Sequence, residues 1–254
     1  MKIYIIGTGN LAWNLCYYLR KYNFKIGGVF SKNLEKLNYF SKKFHIKKYE
    51  QFYQISSNKG IFFLCVPDNY VLEFASYLKG KSKYVVSFSG AIDYRNLVEA
   101  NANSGIFYIF QTFTFGFKAN LKNVPVFCET INPFLQFFFK NLSEKLNLKL
   151  YEISSKERLK IHLSGVFINN FVNFLILQTE RFLIKNNLDR KILCPIVKET
   201  LRKIKKIGAE KSQTGPAIRK DFITIEKHKN FLKNEDILLF EIYDFLTEKI
   251  LNYF

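Results

Sequence analysis

"KIYIIGTGNLAWNLCYYL" (residues 2–19) decides the fold. A short apolar, β-branched run ends at Gly7, and beyond the turn Leu11, Leu15, Tyr18 and Leu19 recur at helical spacing. Gly7, Gly9 and Ala12 therefore form G-x-G-x-x-A directly after a predicted strand and at the start of a predicted helix, the context that makes the pattern informative. Gly7 permits the tight turn, Gly9 lets backbone approach a pyrophosphate, and Ala12 lets helix and strand pack closely. The helix N-terminus, beginning at Asn10 and Leu11, attracts the phosphates. The plain alternative is an ordinary βα turn; the full strand–turn–helix context favours dinucleotide binding.

Outward from that turn the front half alternates. "FKIGGVF" reads as a strand, "NLEKLNYFSKKF" as a helix, "GIFFLCV" as a fully buried strand, "NYVLEFASYL" as a helix and "KYVVSFSG" as a further strand. Near-continuous apolar strands separated by helices predict a parallel sheet covered on both faces, that is, an α/β doubly wound Rossmann domain. After Tyr94 the pattern loosens into "GIFYIF", "VPVFCE", a helix over residues 133–146 and "LKLYEI". From Ser154 only helices follow, over residues 156–187, 193–207, 221–232 and 235–254. The change of pattern places a boundary near residue 153, with a dinucleotide-binding domain over 1–153 and an all-α domain over 154–254.

The end of the second strand bears on which dinucleotide binds. NAD sites tend to carry Asp or Glu there for the ribose 2′-hydroxyl. "VFSKN" instead supplies Ser31, Lys32 and Asn33, a hydroxyl, a cation and an amide that suit a 2′-phosphate. NADP is the expected cofactor and NAD the alternative, although in a chain with 39 Lys and Arg one more lysine is also what composition alone provides. In "VPD", Val66 and Pro67 leave a strand at its carboxyl end, where such ligand crevices form, and Asp68 is expected to cap the next helix.

Composition bounds the rest. The 254 residues, 48% hydrophobic with 28 Phe and 15 Tyr, are ample for a packed core. A net charge of +18 raises nucleic acid or an anionic membrane as a partner. Abundant Lys, Asn, Ile, Phe and Tyr with scarce Pro, Gly and Met is, however, what an A/T-rich genome writes. The charges are scattered and no basic–aromatic motif accompanies them, so no nucleic acid is expected. Cys16, Cys65, Cys128 and Cys194 lie far apart and read as buried free thiols in a reducing compartment. "MKIYIIGTGN" runs from strand to glycine turn without a leader pattern, and a cytoplasmic location is expected.

Residues 161–179 carry no Lys, Arg, Asp or Glu and approach the length of a membrane span, yet hold His162, Ser164, Asn169, Asn170, Asn173 and Gln178. That polarity argues against lipid and for a buried helix, and no membrane is expected. At ~100° per residue His162, Asn169, Asn173 and Glu180 fall on one stripe with Asn170 beside it. Such groups need partners, either neighbouring helices or a substrate and a carboxamide. In "TGPAIRKD" (residues 214–221) Gly215 and Pro216 break the chain, and Arg219 and Asp221 either face a cleft or make an internal capping ion pair.

Taken in order, "GTGNLA", "VFSKN", "VPDNYV", "SFSGAI", "FYIFQTFTF", "VPVFCE", "IHLSGVFINNFVNFL" and "SQTGPAIRKD" resemble the Rossmann-like proteins with a C-terminal DUF2520 domain. These sit within the 6-phosphogluconate-dehydrogenase-like oxidoreductases, with pyrroline-5-carboxylate reductase and ketopantoate reductase as relatives. The resemblance implies a cofactor turn of Gly7, Gly9, Asn10 and Leu11, with Ser31 and Lys32 near the adenosine phosphate. It implies that His162, Asn169, Asn170 and Asn173, with Thr214, Gly215, Arg219 and Asp221, serve substrate and nicotinamide. It also implies a homodimer through the helical domain. Two departures stand out. Many relatives have Pro after the His or Tyr that precedes Gln-Thr-Phe, where this chain has Tyr108-Ile109-Phe110. The lysine that several related dehydrogenases carry on the first helix of the second domain is absent around Val166, and His162 is its nearest replacement. The reading is an NADP-dependent enzyme that transfers hydride to a small 2-oxo or cyclic imino acid, similar to ketopantoate reductase or to pyrroline-5-carboxylate reductase. The rivals are a sensor that binds NADP without turnover and a basic nucleic-acid binder.

Overall fold

A computed structural model describes residues 1–80 and 83–254. The first 167 residues build a three-layer α/β unit. Its elements run β1 (Ile3–Ile6), α1 (Asn10–Lys21), β2 (Ile26–Phe30), α2 (Leu34–Phe44), β3 (Lys48–Tyr49), α3 (Phe52–Ser56), β4 (Gly60–Leu64), α4 (Asp68–Tyr77), β5 (Lys83–Ser87), α5 (Tyr94–Ala100), β6 (Ser104–Ile109), β7 (Pro125–Glu129), α6 (Pro133–Leu146), β8 (Lys149–Glu152) and α7 (Ser155–Gly165). The strands form one sheet in the order β3-β2-β1-β4-β5-β6-β7-β8. All neighbours are parallel except β7, which runs against β6 in the register Ile106↔Glu129 to Ile109↔Val126. The chain returns from β3 to place β4 beside β1, so the order reverses there and opens a crevice at the carboxyl ends of the strands.

Strand periodicity explains the unbroken apolar runs. Ile3 and Ile5 enter one core with Leu15, Leu19, Phe40, Phe63 and Phe139, whereas Tyr4 and Ile6 enter the other with Phe62, Leu64, Phe74 and Leu97. A strand covered on both faces needs apolar residues at every position, and each buried Ile, Leu or Phe contributes about 1.5–3 kcal/mol. Helix ends follow local chemistry: Asn33 Oδ1 accepts the Lys36 amide, and Asn132 precedes Pro133 and accepts from the Leu135 amide. The two-residue β3 and the short α3 were not legible in the sequence, because neither is long enough to show a period.

The chain divides into two compact units at Phe167/Ile168. The second holds α8 (Val172–Lys185), α9 (Leu193–Ile207), α10 (Ala209–Ser212), α11 (Phe222–Glu235) and α12 (Ile237–Tyr253). Between α7 and α8 the helix widens into a π-helical segment, Val166–Phe171. Within the second unit α11 packs on α12, and an apolar cavity of about 360 Å³ is lined by Leu175, Phe182, Ala217, Leu232, Leu246 and Ile250.

Two expectations are corrected here. The uncharged helix is not buried in the single chain: it is part of a continuous helix, Ser155–Lys185, that is long and apolar enough to cross a membrane, and Asn169, Asn170, Asn173 and Phe174 are exposed. Sequence polarity excluded a solvated face, but it contained no information on what covers an apolar one. Of the four free thiols only Cys16 and Cys128 are buried, and Cys194, in the first turn of α9, is exposed.

Candidate cofactor cleft and active site

The cleft lies where β1, β2 and β4 end. A cavity of about 330 Å³ is lined by Gly7, Gly9, Ser31, Lys32, Val66 and Pro67, with Thr8, Asn33, Tyr70 and Phe74 around them. Gly7 has φ +109°, and a Cβ there would sit 2.2 Å from the Cys65 carbonyl oxygen, so turn and neighbouring strand both demand glycine. Gly9 is different. Its φ is −81°, and a Cβ there would meet no protein atom within 4 Å. Nothing in the chain requires Gly9 to be bare; the space it leaves is room for a ligand. Behind it α1 begins with no side-chain cap and no acidic residue in its first turn. Its leading amides, including those of Asn10 and Leu11, form an anion-binding end. These residues fit the pyrophosphate of a dinucleotide.

At the end of β2 the buried Ser31 hydroxyl accepts from Thr8 Oγ1 at 2.8 Å and from the Asn33 amide at 3.1 Å. That network ties the glycine turn to the β2 exit. The Lys32 ammonium lies 5.9 Å from the centre of the Tyr70 ring. Pro67 occupies the cap position of α4, so Asp68 is the first helical residue and does not cap, contrary to expectation; its charge instead favours the helix N-terminus. Sequence reading also passed over Asn14. It is buried on α1, donates to the Asn10 and Thr114 carbonyls and accepts the Ala119 amide at 2.9 Å. Asn10 Oδ1 accepts from Phe115, so Asn10 and Asn14 pin the loop over residues 114–119 to the cofactor helix.

Farther along the strand ends, α7 carries His162. Its start is fixed by a capping box of Ser154 and Glu157, which also holds the Glu157 carboxyl below its ordinary pKa. Arg158, fully buried, bonds Glu129 of β7, the Ile92 carbonyl and Ser155. Ser155 Oγ in turn accepts the Tyr94 amide. One turn beyond Arg158, His162 Nδ1 lies 3.0 Å from the Tyr108 hydroxyl at the end of β6. Burial, with a smaller contribution from the Asp68 charge, pushes the Tyr108 phenol up to about 12, so it stays protonated at neutral pH. In the sequence Tyr108 stands out only for the absence of proline after it. No periodicity links residue 108 to residue 162, and only the sheet order brings them together.

In the second unit Asn169 donates to Asn170 at 3.4 Å, and both are exposed with Asn173. The widened turn over Val166–Phe171 lies between His162 and Asn173. A π-bulge acts like one extra residue, ~100° of phase, so the stripe counted at ideal helical spacing does not continue through it. "TGPAIRKD" forms a tight turn in which Gly215 has φ +115° and Lys220 φ +56°. The Asp221 amide donates to the Pro216 carbonyl, and its carboxylate caps α11 through the Thr224 amide at 3.1 Å and hydroxyl at 2.8 Å. Those bonds hold the Asp221 carboxyl below its ordinary pKa. Asp221 thus caps α11 through hydrogen bonds to Thr224, where one of its two expected roles was a capping ion pair with Arg219. Arg219 is exposed on the same turn, and Thr214 borders the apolar cavity of this unit.

Solved structures of similar fold span the whole chain. A candidate NADP oxidoreductase from Bacteroides fragilis is 27% identical, with a TM-score of 0.90 over 99% of this chain and 98% of that one. A Thermotoga maritima protein is 21% identical, with a TM-score of 0.76 over 98% and 99%. A 1-pyrroline-5-carboxylate reductase from Streptococcus pyogenes is 15% identical, with a TM-score of 0.61 over 100% and 97%. No curated protein matches the sequence significantly. The model of the DUF2520 family, a domain of unknown function, matches residues 124–250, from β7 to the last turns of α12, and the chain belongs to that family.

Proposed function

We propose that this protein is an NADP-dependent reductase of a small 2-oxo or cyclic imino acid. The observation that carries the reading is the cleft itself: bare Gly9 and the uncapped start of α1 stand beside Ser31 and Lys32, with no carboxylate at the end of β2. The fold is shared with dehydrogenases and reductases, and the likeness to the Bacteroides fragilis protein supports NADP. In this reading the α1 amides bind the pyrophosphate, and Ser31 and Lys32 bind the 2′-phosphate. Val66 and Pro67 border the nicotinamide end. When bound, NADPH supplies the hydride. His162 delivers the proton to the oxygen or nitrogen that gains charge as the carbon is reduced. Arg219 holds the substrate carboxylate, Asn169 and Asn173 orient the substrate, and Asp221 fixes the turn that carries Arg219. A second copy of the chain covers the apolar surface of the helical unit, where only Gln178, Ala217, Ile225 and Thr247 are buried. The exposed asparagines make lipid a poor cover. The protein works as a homodimer in a reducing cytoplasm.

The test is NADPH oxidation by purified protein against ketopantoate, pyrroline-5-carboxylate and a panel of 2-oxo acids, with NADH alongside. Turnover of one acid with NADPH preferred is the expected result. Tight NADPH binding without turnover across the panel transfers the site to the sensor reading. Light scattering without detergent should give twice the mass of one chain; a monomer would remove the second copy.

A further inference from the structure

We infer that Tyr108 is a positioning residue for His162, its hydroxyl fixing the imidazole so that Nδ1 accepts and Nε2 carries the proton. The inference rests on the reading of His162 as proton donor. The first observation is the contact: Oη to Nδ1 is 3.0 Å, and the two rings meet edge to face with centroids 5.6 Å apart. The second is enclosure. A Cβ on Gly90, after β5, would lie 2.5 Å from the imidazole Cγ and Nδ1, so the backbone closes one side of the ring as tightly as glycine allows. One helical turn on from His162, Gly165 lets the Phe110 ring approach to where a Cβ would be 2.7 Å away. The phenol packs in turn against Phe110 and Phe127, with centroids at 6.2 and 6.4 Å, and these two rings lie 6.1 Å from each other.

A neutral phenol has one proton to give, and Asp68, the charged group that the phenol senses, discourages its loss. Donated to Nδ1, that hydrogen bond makes the neutral imidazole carry its own proton on Nε2, turned toward a substrate; delivery of a proton takes the imidazolium, whose Nδ1–H donates back to the phenol oxygen while Nε2–H faces the acceptor. A hydrogen bond of this kind is not rare: His228 Nδ1 and the Tyr243 hydroxyl are also 3.0 Å apart. That pair, however, is exposed on α11 and α12, whereas glycine and aromatic rings close in the first pair. The inference thus depends on confinement together with the bond.

The experiment uses the full chain with labelled histidine and long-range ¹H–¹⁵N spectra, which report the tautomer of each ring. The chain has only three histidines, His45, His162 and His228, and His162→Gln assigns the signal. Wild type should show the Nε2–H form at His162 at neutral pH, and Tyr108→Phe should give a mixture. An unchanged His228 signal would show that the variant is folded. In parallel, Tyr108→Phe should lower kcat about threefold to tenfold with KM held, the scale of one orienting hydrogen bond. It should also move the pH at which activity is lost. An Nδ1–H form in wild type, or a His162 tautomer indifferent to Tyr108→Phe, would overturn the inference even if the protein is a reductase. A tautomer controlled by Tyr108 in a protein that turns over no acid upholds the positioning and removes only the reaction.

Discussion

The same histidine–tyrosine geometry occurs twice in this chain, and the surroundings separate the two. Tyr108 and His162 meet in the first unit between a sheet end and a helix whose first turn is locked by a buried arginine. His228 and Tyr243 meet on neighbouring helices of the second unit, where His228 is exposed. The distances are equal, so distance alone does not make a site. What differs is the number of groups that hold each ring, and this follows the wider contrast between the units. The sheet unit buries apolar side chains on both faces, while the helical unit buries four residues. A region that encloses its own side chains can orient them to the tolerance that chemistry needs.

The sharpest way to break that comparison is to remove each ring. His162→Ala should lower kcat by ~10²–10⁴ if the imidazole is the acid, and His228→Ala should leave it within about twofold. Equal losses would dissolve the distinction. Next come the two glycines of the cofactor turn. Gly7→Ala should destabilise the fold by about 2–6 kcal/mol in urea denaturation, since it adds left-handed strain and a clash with the Cys65 carbonyl. Gly9→Ala should leave the denaturation midpoint in place and weaken NADPH binding by about tenfold or more, measured calorimetrically. If Gly9→Ala bound NADPH normally, the cleft would not be the cofactor site.

The smallest effects lie on the 214–221 turn. Arg219→Ala should raise KM about tenfold with little change in kcat, the scale of a charged hydrogen bond. A wild-type KM would end the carboxylate role. Asp221→Ala should slightly lower the denaturation midpoint through loss of the α11 cap. Because the folded-state pKa of Asp221 is depressed, its stabilising contribution is present at neutral pH. It is lost as pH falls below about 3.9 and through the folded-state value. An acid-stability profile of wild type against Asp221→Ala should converge there.

The doubly wound order and the glycine turn were legible because both are written in contiguous residues: a buried parallel strand is apolar throughout, and a phosphate turn is short. Asn14, Arg158 and the Tyr108–His162 contact were not, since their partners lie far off in sequence. The phase between His162 and Asn173 was not legible either, because ideal helical spacing does not run through a segment that the fold widens.

The sequence by itself therefore determined the class of fold, the family and the glycine turn at the head of α1, since these depend on local steric and periodic rules. The tertiary structure decided which strand ends meet, that Gly9 leaves open space while Gly7 does not, and that a phenol faces His162. Those are relations between residues tens of positions apart, fixed by packing that no single stretch of chain encodes.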